Sequence, residues 1–382
     1  MTMGEDVVVR EVLGSRDVAA WLRVPHAIHA GDPHWVAPLD VSERQRISRT
    51  HNPFFKFGDA AFFLAFQGGQ PVGRISAQVN HAHLAQHDDA TGNFGFFTCC
   101  DDQAVADALV GTAAGWLRSR GMMRMVGPMS LSINEEPGAL VDGFDTPPAF
   151  MMGHASRAAG RLLSDAGLSK AVDLFAYRMS PLVTPREIQR LARLAQQSER
   201  VFVRPFDMKH FGRDVRLVLD IFNDGWRENW GFVPFQDAEV EHLIREMRPI
   251  MRGKFGRIVE IDGRPAAMMV VLPDLNNVVA PFDGKLFPIN WARLAHAVWR
   301  DRWRTARILL LGVRQEYRHT VLAPAILSML ASEYMELGRA YDLEWVEFSW
   351  ILETNEPMRK LAELVAGPPC KTYRVYEKML DA

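Results

Sequence analysis

A short asparagine–glutamate–proline phrase stands late in each half of this chain, in matching surroundings. The first copy is Ser132-Ile133-Asn134-Glu135-Glu136-Pro137 and the second is Glu353-Thr354-Asn355-Glu356-Pro357. A helix-like stretch and then a hydrophobic strand precede each copy. Another helix, a glycine and a closing strand follow it, over 170–179 in the first half and 371–379 in the second. The phrase alone is short enough to recur by chance; its ordered flanks carry the repeat. Two copies of one α/β unit are expected, each in the order β-α-α-β-β-β-α-β-α-β.

A chain of 382 residues suits two domains that each bury a core. The boundaries expected are 1–180, a charged linker helix over 181–200, and 201–382. A net charge of -2 supplies no basic field for nucleic acid. Three cysteines, Cys99, Cys100 and Cys370, make neither a disulfide framework nor a metal-ligand pattern, so a reducing cytoplasmic setting is expected. The longest apolar runs, 60–66 and 308–313, fall far below the roughly 18 residues of a membrane span.

Local signals fill in the two units. Gly68-Gly69 between two apolar runs predicts a hairpin, and Asp262-Gly263 predicts its counterpart. Val105, Leu109, Ala113, Trp116 and Leu117 have helical spacing, as do Phe211, Val215, Val218 and Phe222. The histidines of Asn80-His81-Ala82-His83-Leu84-Ala85-Gln86-His87 are read as a solvated loop, and no metal is expected.

One segment runs Leu309-Leu310-Leu311-Gly312-Val313-Arg314-Gln315-Glu316-Tyr317-Arg318-His319-Thr320 and enters a helix. With the element order, it resembles the strand–loop–helix of the GNAT superfamily of acyl-CoA N-acyltransferases, here in tandem form. The resemblance implies a mixed central sheet flanked by helices in each unit, with acyl-CoA as co-substrate. It places the pyrophosphate of coenzyme A against Val313, Arg314, Arg318, His319 and Thr320, where backbone N–H groups and a helix terminus hold an anion. Asn355 falls near the pantetheine arm in that comparison; capping of the helix that follows is an equal reading. The chain departs from the family by carrying His319 and Val321 where glycines are usual. In the first half the corresponding point, Cys99-Cys100-Asp101-Asp102, is acidic and repels phosphate, so only the second unit is expected to bind coenzyme A.

Acyl transfer to an amine needs a base for the amine proton and an acid for the departing thiolate. The family's usual tyrosine is replaced at its spacing by Glu363 and Leu163, which leaves Tyr373 or Tyr376 as acid. Strand-end carboxylates are the candidate bases: Glu353 in the second half, Glu135 or Glu136 in the first. Glu347 shares a strand face with Glu353.

Two features favour a greasy substrate. Phe54, Phe55, Phe57, Phe62 and Phe63 crowd one region, and Trp291, Trp299 and Trp303 alternate with Arg293, Arg300, Arg302 and Arg304. The second pattern suits a membrane surface, and packing of the tryptophans on the sheet is an equal alternative. Within the superfamily the chain resembles bacterial ceramide synthases, through Gly127–Gly138, 143–148 and 223–232. That resemblance implies transfer of a long acyl chain to a sphingoid amine. A short-chain acetyltransferase of a small polar amine and a non-catalytic scaffold of the same fold are the alternatives.

Overall fold

The computed structural model describes residues 6–181, 185–318, 320 and 322–380. The chain forms two compact units. The first comprises Met1–Leu174, Val279–Trp291 and Lys371–Ala382; the second comprises Phe175–Val278 and Ala292–Cys370.

The first unit opens with strand β1 (Val8–Glu11) and helices α1 (Ser15–Ile28) and α2 (Asp40–Arg46). The hairpin β2 (Gly58–Gln67) and β3 (Gln70–Asn80) follows, then α3 (His81–His87), β4 (Thr91–Cys99) and α4 (Gln103–Arg118). Next come β5 (Arg124–Gly127), β6 (Ala139–Asp142) and α5 (Ala159–Asp165). Strand β7 (Ser169–Met179) leads to the second unit. That unit holds α6 (Arg186–Gln196), β8 (Val201–Pro205), α7 (Phe211–Trp226), α8 (Asp237–Met247), β9 (Gly256–Ile261) and β10 (Arg264–Pro273). After α9 (Asn276–Val279) and α10 (Asn290–Arg300) come β11 (Thr305–Val313), α11 (Gln315–Arg318), α12 (Leu322–Ala340), β12 (Trp345–Leu352) and α13 (Glu356–Ala366). The chain ends in β13 (Lys371–Met379).

Strand alternation splits the first unit's core into two layers. Ala61, Phe63 and Ala65 of β2 turn to one side, where they join Ile75, Leu109, Leu117 and Leu162. Ala60, Phe62 and Leu64 turn to the other, against Trp21, Val24, Phe54 and Phe96. Each layer buries several large side chains, and each such burial contributes about 1.5–3 kcal/mol. Both hairpins form as the turn residues predict: Gly68 and Gly69 have φ of 56° and 76°, Asp262 and Gly263 of 51° and 76°.

Each unit has a fork between parallel strands. In the first, β4 pairs with β5 only over Thr91–Asn93 and Arg124–Val126; β5 then ends while β4 continues along β3 to Cys99. In the second, β11 pairs with β12 only over Thr305–Ile308 and Trp345–Phe348, and then follows β10 to Val313. In each fork the third residue of the pairing is polar and bonds to the neighbouring strand. Asn93, third from the start of its pairing, donates to the Val126 carbonyl at 3.2 Å. Arg307, third in its own, donates to Ser349 Oγ at 3.0 Å and to the Ser349 carbonyl at 3.1 Å.

Two expectations need correction and a third needs detail. The closing strand of the second half, β13, belongs to the first unit, where it pairs antiparallel with β5 and β6. Sequence pattern marks a strand but not its partner, and this partner lies some 250 residues back. The linker stretch forms a helix as expected, α6, but one that packs on α12 and buries Ile188, Ala192 and Ala195. The histidine-rich stretch is a helical turn, because the Asn80 side chain accepts from the N–H groups of Ala82 and His83.

Candidate active site

The first unit's fork is filled by the segment that carries the first Asn-Glu-Glu-Pro. Gly95 has no Cβ where one would lie 2.1 Å from the Met129 carbonyl oxygen, so the segment presses against β4. Phe96 N–H donates to Ser130 Oγ at 3.0 Å, and Gln78 Nε2 to the Leu131 carbonyl at 3.3 Å. These bonds hold the segment where strand pairing has stopped.

Arg46, at the end of α2, organises the charges above it. Its guanidinium donates to the Ser130 carbonyl at 2.7 Å, pairs with Glu43 at 2.7 Å and Glu136 at 3.0 Å, and approaches Glu135 at 3.9 Å. It also covers the Phe96 ring at 4.7 Å. Arg74 of β3 lies 3.5 Å from Glu43 and donates to the Trp21 carbonyl. Glu43 and Arg74 are buried. Burial pushes the Glu43 carboxyl up, but Arg46 and Arg74 outweigh it and hold it below the usual range. Burial pulls Arg74 down to about 10 against the attraction of Glu43, which still leaves it charged at neutral pH. A buried Arg74 and a half-buried Arg46 among three carboxylates are a costly arrangement for stability alone, which makes this fork a candidate site.

Beside them sits a His–Asp–His group. His29 follows α1, Asp32 lies in the next loop, and His154 lies in the loop before α5. His154 Nε2 is 2.7 Å from Asp32 Oδ2, and the Asp32 Oδ1 accepts from the His34 N–H at 2.9 Å. His29 stacks on Trp35 with ring centroids 5.1 Å apart and meets His154 edge-on at 5.6 Å. Burial, reinforced by His154, lowers His29 to about 4; burial also lowers His154, over the opposite pull of Asp32. Both rings are therefore neutral at pH 7. One donor atom from each of the three residues lies within 4.8 Å of the others, a spacing that a metal ion could also use.

Of the expected catalytic residues, Glu135 is in this fork, at the edge of the Arg46 cluster. Tyr373 is fully buried on β13, opposite Leu140. Glu353 lies in the second unit, on the turn after β12, and its carbonyl accepts from Arg359 at 3.0 Å. Asn355 caps α13, its side chain accepting from the Met358 N–H at 3.4 Å. His29, Asp32, His154 and Arg74 escaped sequence reading because they converge from separate elements with no spacing that links them, and Glu43 and Arg46, one helical turn apart on α2, look like an ordinary surface pair.

The expected pyrophosphate loop follows β11. His319 and Val321 lie outside the described residues. Val313 ends β11 and its carbonyl closes on Gly225, where a Cβ would sit 2.8 Å away. The loop's N–H groups have partners: Arg314 to the Ala266 carbonyl at 2.9 Å, Gln315 to Asp224 Oδ2 at 2.8 Å, Thr320 to the Tyr317 carbonyl at 3.1 Å. Arg314 pairs with Asp220, while Arg318 donates to the Gly225 carbonyl and lies 3.7 Å from Glu228. The turn of helix α11 replaces a glycine-rich cradle here. In the first unit Asp102 caps α4 by accepting from Ala104 N–H at 2.8 Å, and Asp101 pairs with Arg161.

Comparison with known proteins places this architecture in a class. Its fold is similar to a tandem GNAT protein from the clavulanic acid biosynthesis pathway, with a TM-score of 0.57, 11% identity and 99% of both chains covered. It is also similar to a GCN5-related N-acetyltransferase from Sphaerobacter thermophilus, with a TM-score of 0.53, 13% identity, and 98% and 96% coverage. The fold is thus a tandem GNAT fold. No family model matches the chain. It is 35% identical over 375 residues to Protein YghO of Escherichia coli (strain K12), spanning 98% of this chain and 95% of that one. Over 379 residues it is 37% identical to a bacterial ceramide synthase of Caulobacter vibrioides (strain NA1000 / CB15N), spanning 98% of each. The chain belongs to the bacterial ceramide synthase family and is a GNAT-type N-acyltransferase.

Proposed function

We propose that this N-acyltransferase moves a long acyl chain from acyl-CoA to the primary amine of a sphingoid base. The identity of 37% to a bacterial ceramide synthase along the whole of both chains carries the reading. Coenzyme A belongs to the second unit, with its pyrophosphate drawn by Arg314 and Arg318 as they exchange Asp220 and Glu228 for phosphate oxygens. Val313, His319, Thr320 and Asn355 complete that proposed site. The first unit, with Asp101 and Asp102 at the matching place, takes no coenzyme A. Glu353 remains the proposed base of the second unit, and Tyr373 the proposed acid.

A lipid substrate asks for access to a membrane. Among the described residues no helix is long and apolar enough to cross one. Helix α10, however, contains no buried residue. Trp291 and Trp299 are 52% and 78% exposed, and Phe287 and Ile289 just before the helix are 67% and 65% exposed. Trp291, Ala295 and Trp299 recur every fourth residue along one stripe, with Arg293 and Arg300 on the opposite side of the helix. Aromatic rings at headgroup depth with cations on lipid phosphate account for this composition, and peripheral attachment through α10 is part of the proposal.

Incubation of the purified protein with sphinganine and either palmitoyl-CoA or acetyl-CoA, with products read by mass spectrometry, tests the reading. An N-palmitoyl product supports it. Exclusive N-acetylation points to a short-chain acetyltransferase, and no product with any donor and amine points to a scaffold.

A further inference from the structure

Helix α6 of the second unit keeps its apolar residues inside. Ile188, Ala192 and Ala195 are buried, and the helix packs on α12. Each residue turns an α-helix by about 100°, so Arg190 and Arg193 lie within about 40° of Arg186. The three buried residues lie about 180–240° round from Arg186. The arginines therefore form one row along the outer face over two turns, and all three are exposed.

No acid shares that row. Glu187, the one carboxylate within the helix, lies about 100° round from Arg186. Arg186, Arg190 and Arg193 form no ion pair with a described residue, whereas the exposed Arg161, Arg200 and Arg216 pair with Asp101, Asp262 and Glu241. With Gln197 and Leu194 the three arginines line an open hollow on the surface. Leu194 stands beside the row and is 58% exposed. Like charges one helical turn apart repel, so a row of this kind is destabilising alone and an anion relieves it.

We propose that this face of α6 docks on an anionic lipid surface, its guanidinium groups donating to headgroup phosphates. The proposal deepens the lipid reading above and rests on it. A guanidinium meets phosphate oxygens through paired N–H donors, and the row repeats that match at neighbouring headgroups. Each cation held at an anionic leaflet raises affinity on the order of fivefold. Leu194 enters the layer beneath the headgroups. A polynucleotide fits the face less well. The chain carries 44 basic and 46 acidic residues, which sum to no field that draws a polyanion, and α6 has no aromatic ring on which a base could stack.

Flotation of the full chain with vesicles of phosphatidylglycerol or of phosphatidylcholine tests the proposal, with folding checked by circular dichroism. The triple variant Arg186→Gln, Arg190→Gln, Arg193→Gln is expected to bind phosphatidylglycerol about 100-fold more weakly and phosphatidylcholine within about twofold of wild type. The triple variant Arg186→Lys, Arg190→Lys, Arg193→Lys keeps the charge and is expected to retain phosphatidylglycerol binding within about threefold. A loss smaller than about tenfold in the folded glutamine variant overturns the proposal, as does an equal loss on phosphatidylcholine. Labelled single-stranded RNA that binds more tightly than phosphatidylglycerol, and is lost in the same variant, overturns it in favour of nucleic acid. Acylation of sphinganine in detergent micelles reads the functional assignment separately. Wild type that acylates sphinganine there but floats with neither lipid overturns the docking face and leaves acyl transfer standing. Wild type that gives no product in detergent fails the functional reading, and flotation still decides the face.

Discussion

Arg307 and Ser349 join the two arms of the second fork: the guanidinium donates to both the hydroxyl and the carbonyl of the serine, where parallel pairing stops. The serine hydroxyl donates a hydrogen bond to Glu347 Oε1 at 2.9 Å, and Arg178 meets Glu347 Oε2 at 3.3 Å. Arg307 and Glu347 are 3% and 0% exposed, so this chain of charges sits almost wholly out of water.

Removal of one buried partner leaves the others uncompensated. Arg307→Ala is expected to cost about 3–5 kcal/mol, and Ser349→Ala about 1 kcal/mol. Urea unfolding followed by tryptophan fluorescence checks both, and equal losses would show that the guanidinium is not carrying the fork.

The buried histidine gives stability a pH dependence of known sign. His29 has its pKa lowered to about 4 from an ordinary 6.5, so between those values the unfolded chain binds the extra proton. The contribution is complete above pH 6.5 and is lost as pH falls towards 4, amounting to roughly 3 kcal/mol at the 1.36 kcal/mol per unit of a pKa change. Denaturation series at pH 4 and pH 7 should show this loss in wild type and a shallower one in His29→Asn.

Reversal of charge at the α11 turn tests the coenzyme A site. Arg314→Glu with Arg318→Glu should weaken palmitoyl-CoA binding by about 3–6 kcal/mol, at about 1.5–3 kcal/mol for each charge-assisted bond. Isothermal titration calorimetry measures it, and an unchanged affinity moves the site elsewhere.

Chain length should be read by the protein as buried area. Each further CH₂ of the donor is expected to add about 0.8 kcal/mol until the binding groove ends. A kcat/KM series from acetyl- to stearoyl-CoA should rise and then level; a maximum at acetyl-CoA contradicts a long-chain donor.

Loss of the exposed tryptophans should free the protein from lipid. Trp291→Ala with Trp299→Ala is expected to reduce binding to phosphatidylglycerol vesicles by about tenfold or more, and salt should weaken the wild type. Flotation assays at two ionic strengths check both.

Elements were legible in the sequence wherever a local rule governs them. Turn glycines placed both hairpins, spacing placed α4 and α7, and the repeated order of elements foretold a tandem fold. Asn355 was legible as a helix cap because capping depends on three neighbouring residues. The pairing of β13 was not, because strand pattern states which faces are apolar and says nothing of partners. The His29–Asp32–His154 group was hidden for a related reason: its members come from the end of a helix and from two loops. The Glu43–Arg46 pair did carry a local signal, one helical turn apart on α2, but such pairs are usually solvated and only burial distinguishes this one.

The position of β13 has a consequence for synthesis. Residues 6–174 emerge from the ribosome before the second unit, yet the strand that lies against β5 and β6 is made only after it. Until then the edge of β5 is bare, an invitation to pair with another growing chain. The first unit is thus begun before the second and finished after it, and a fragment that stops before Lys371 should aggregate rather than fold.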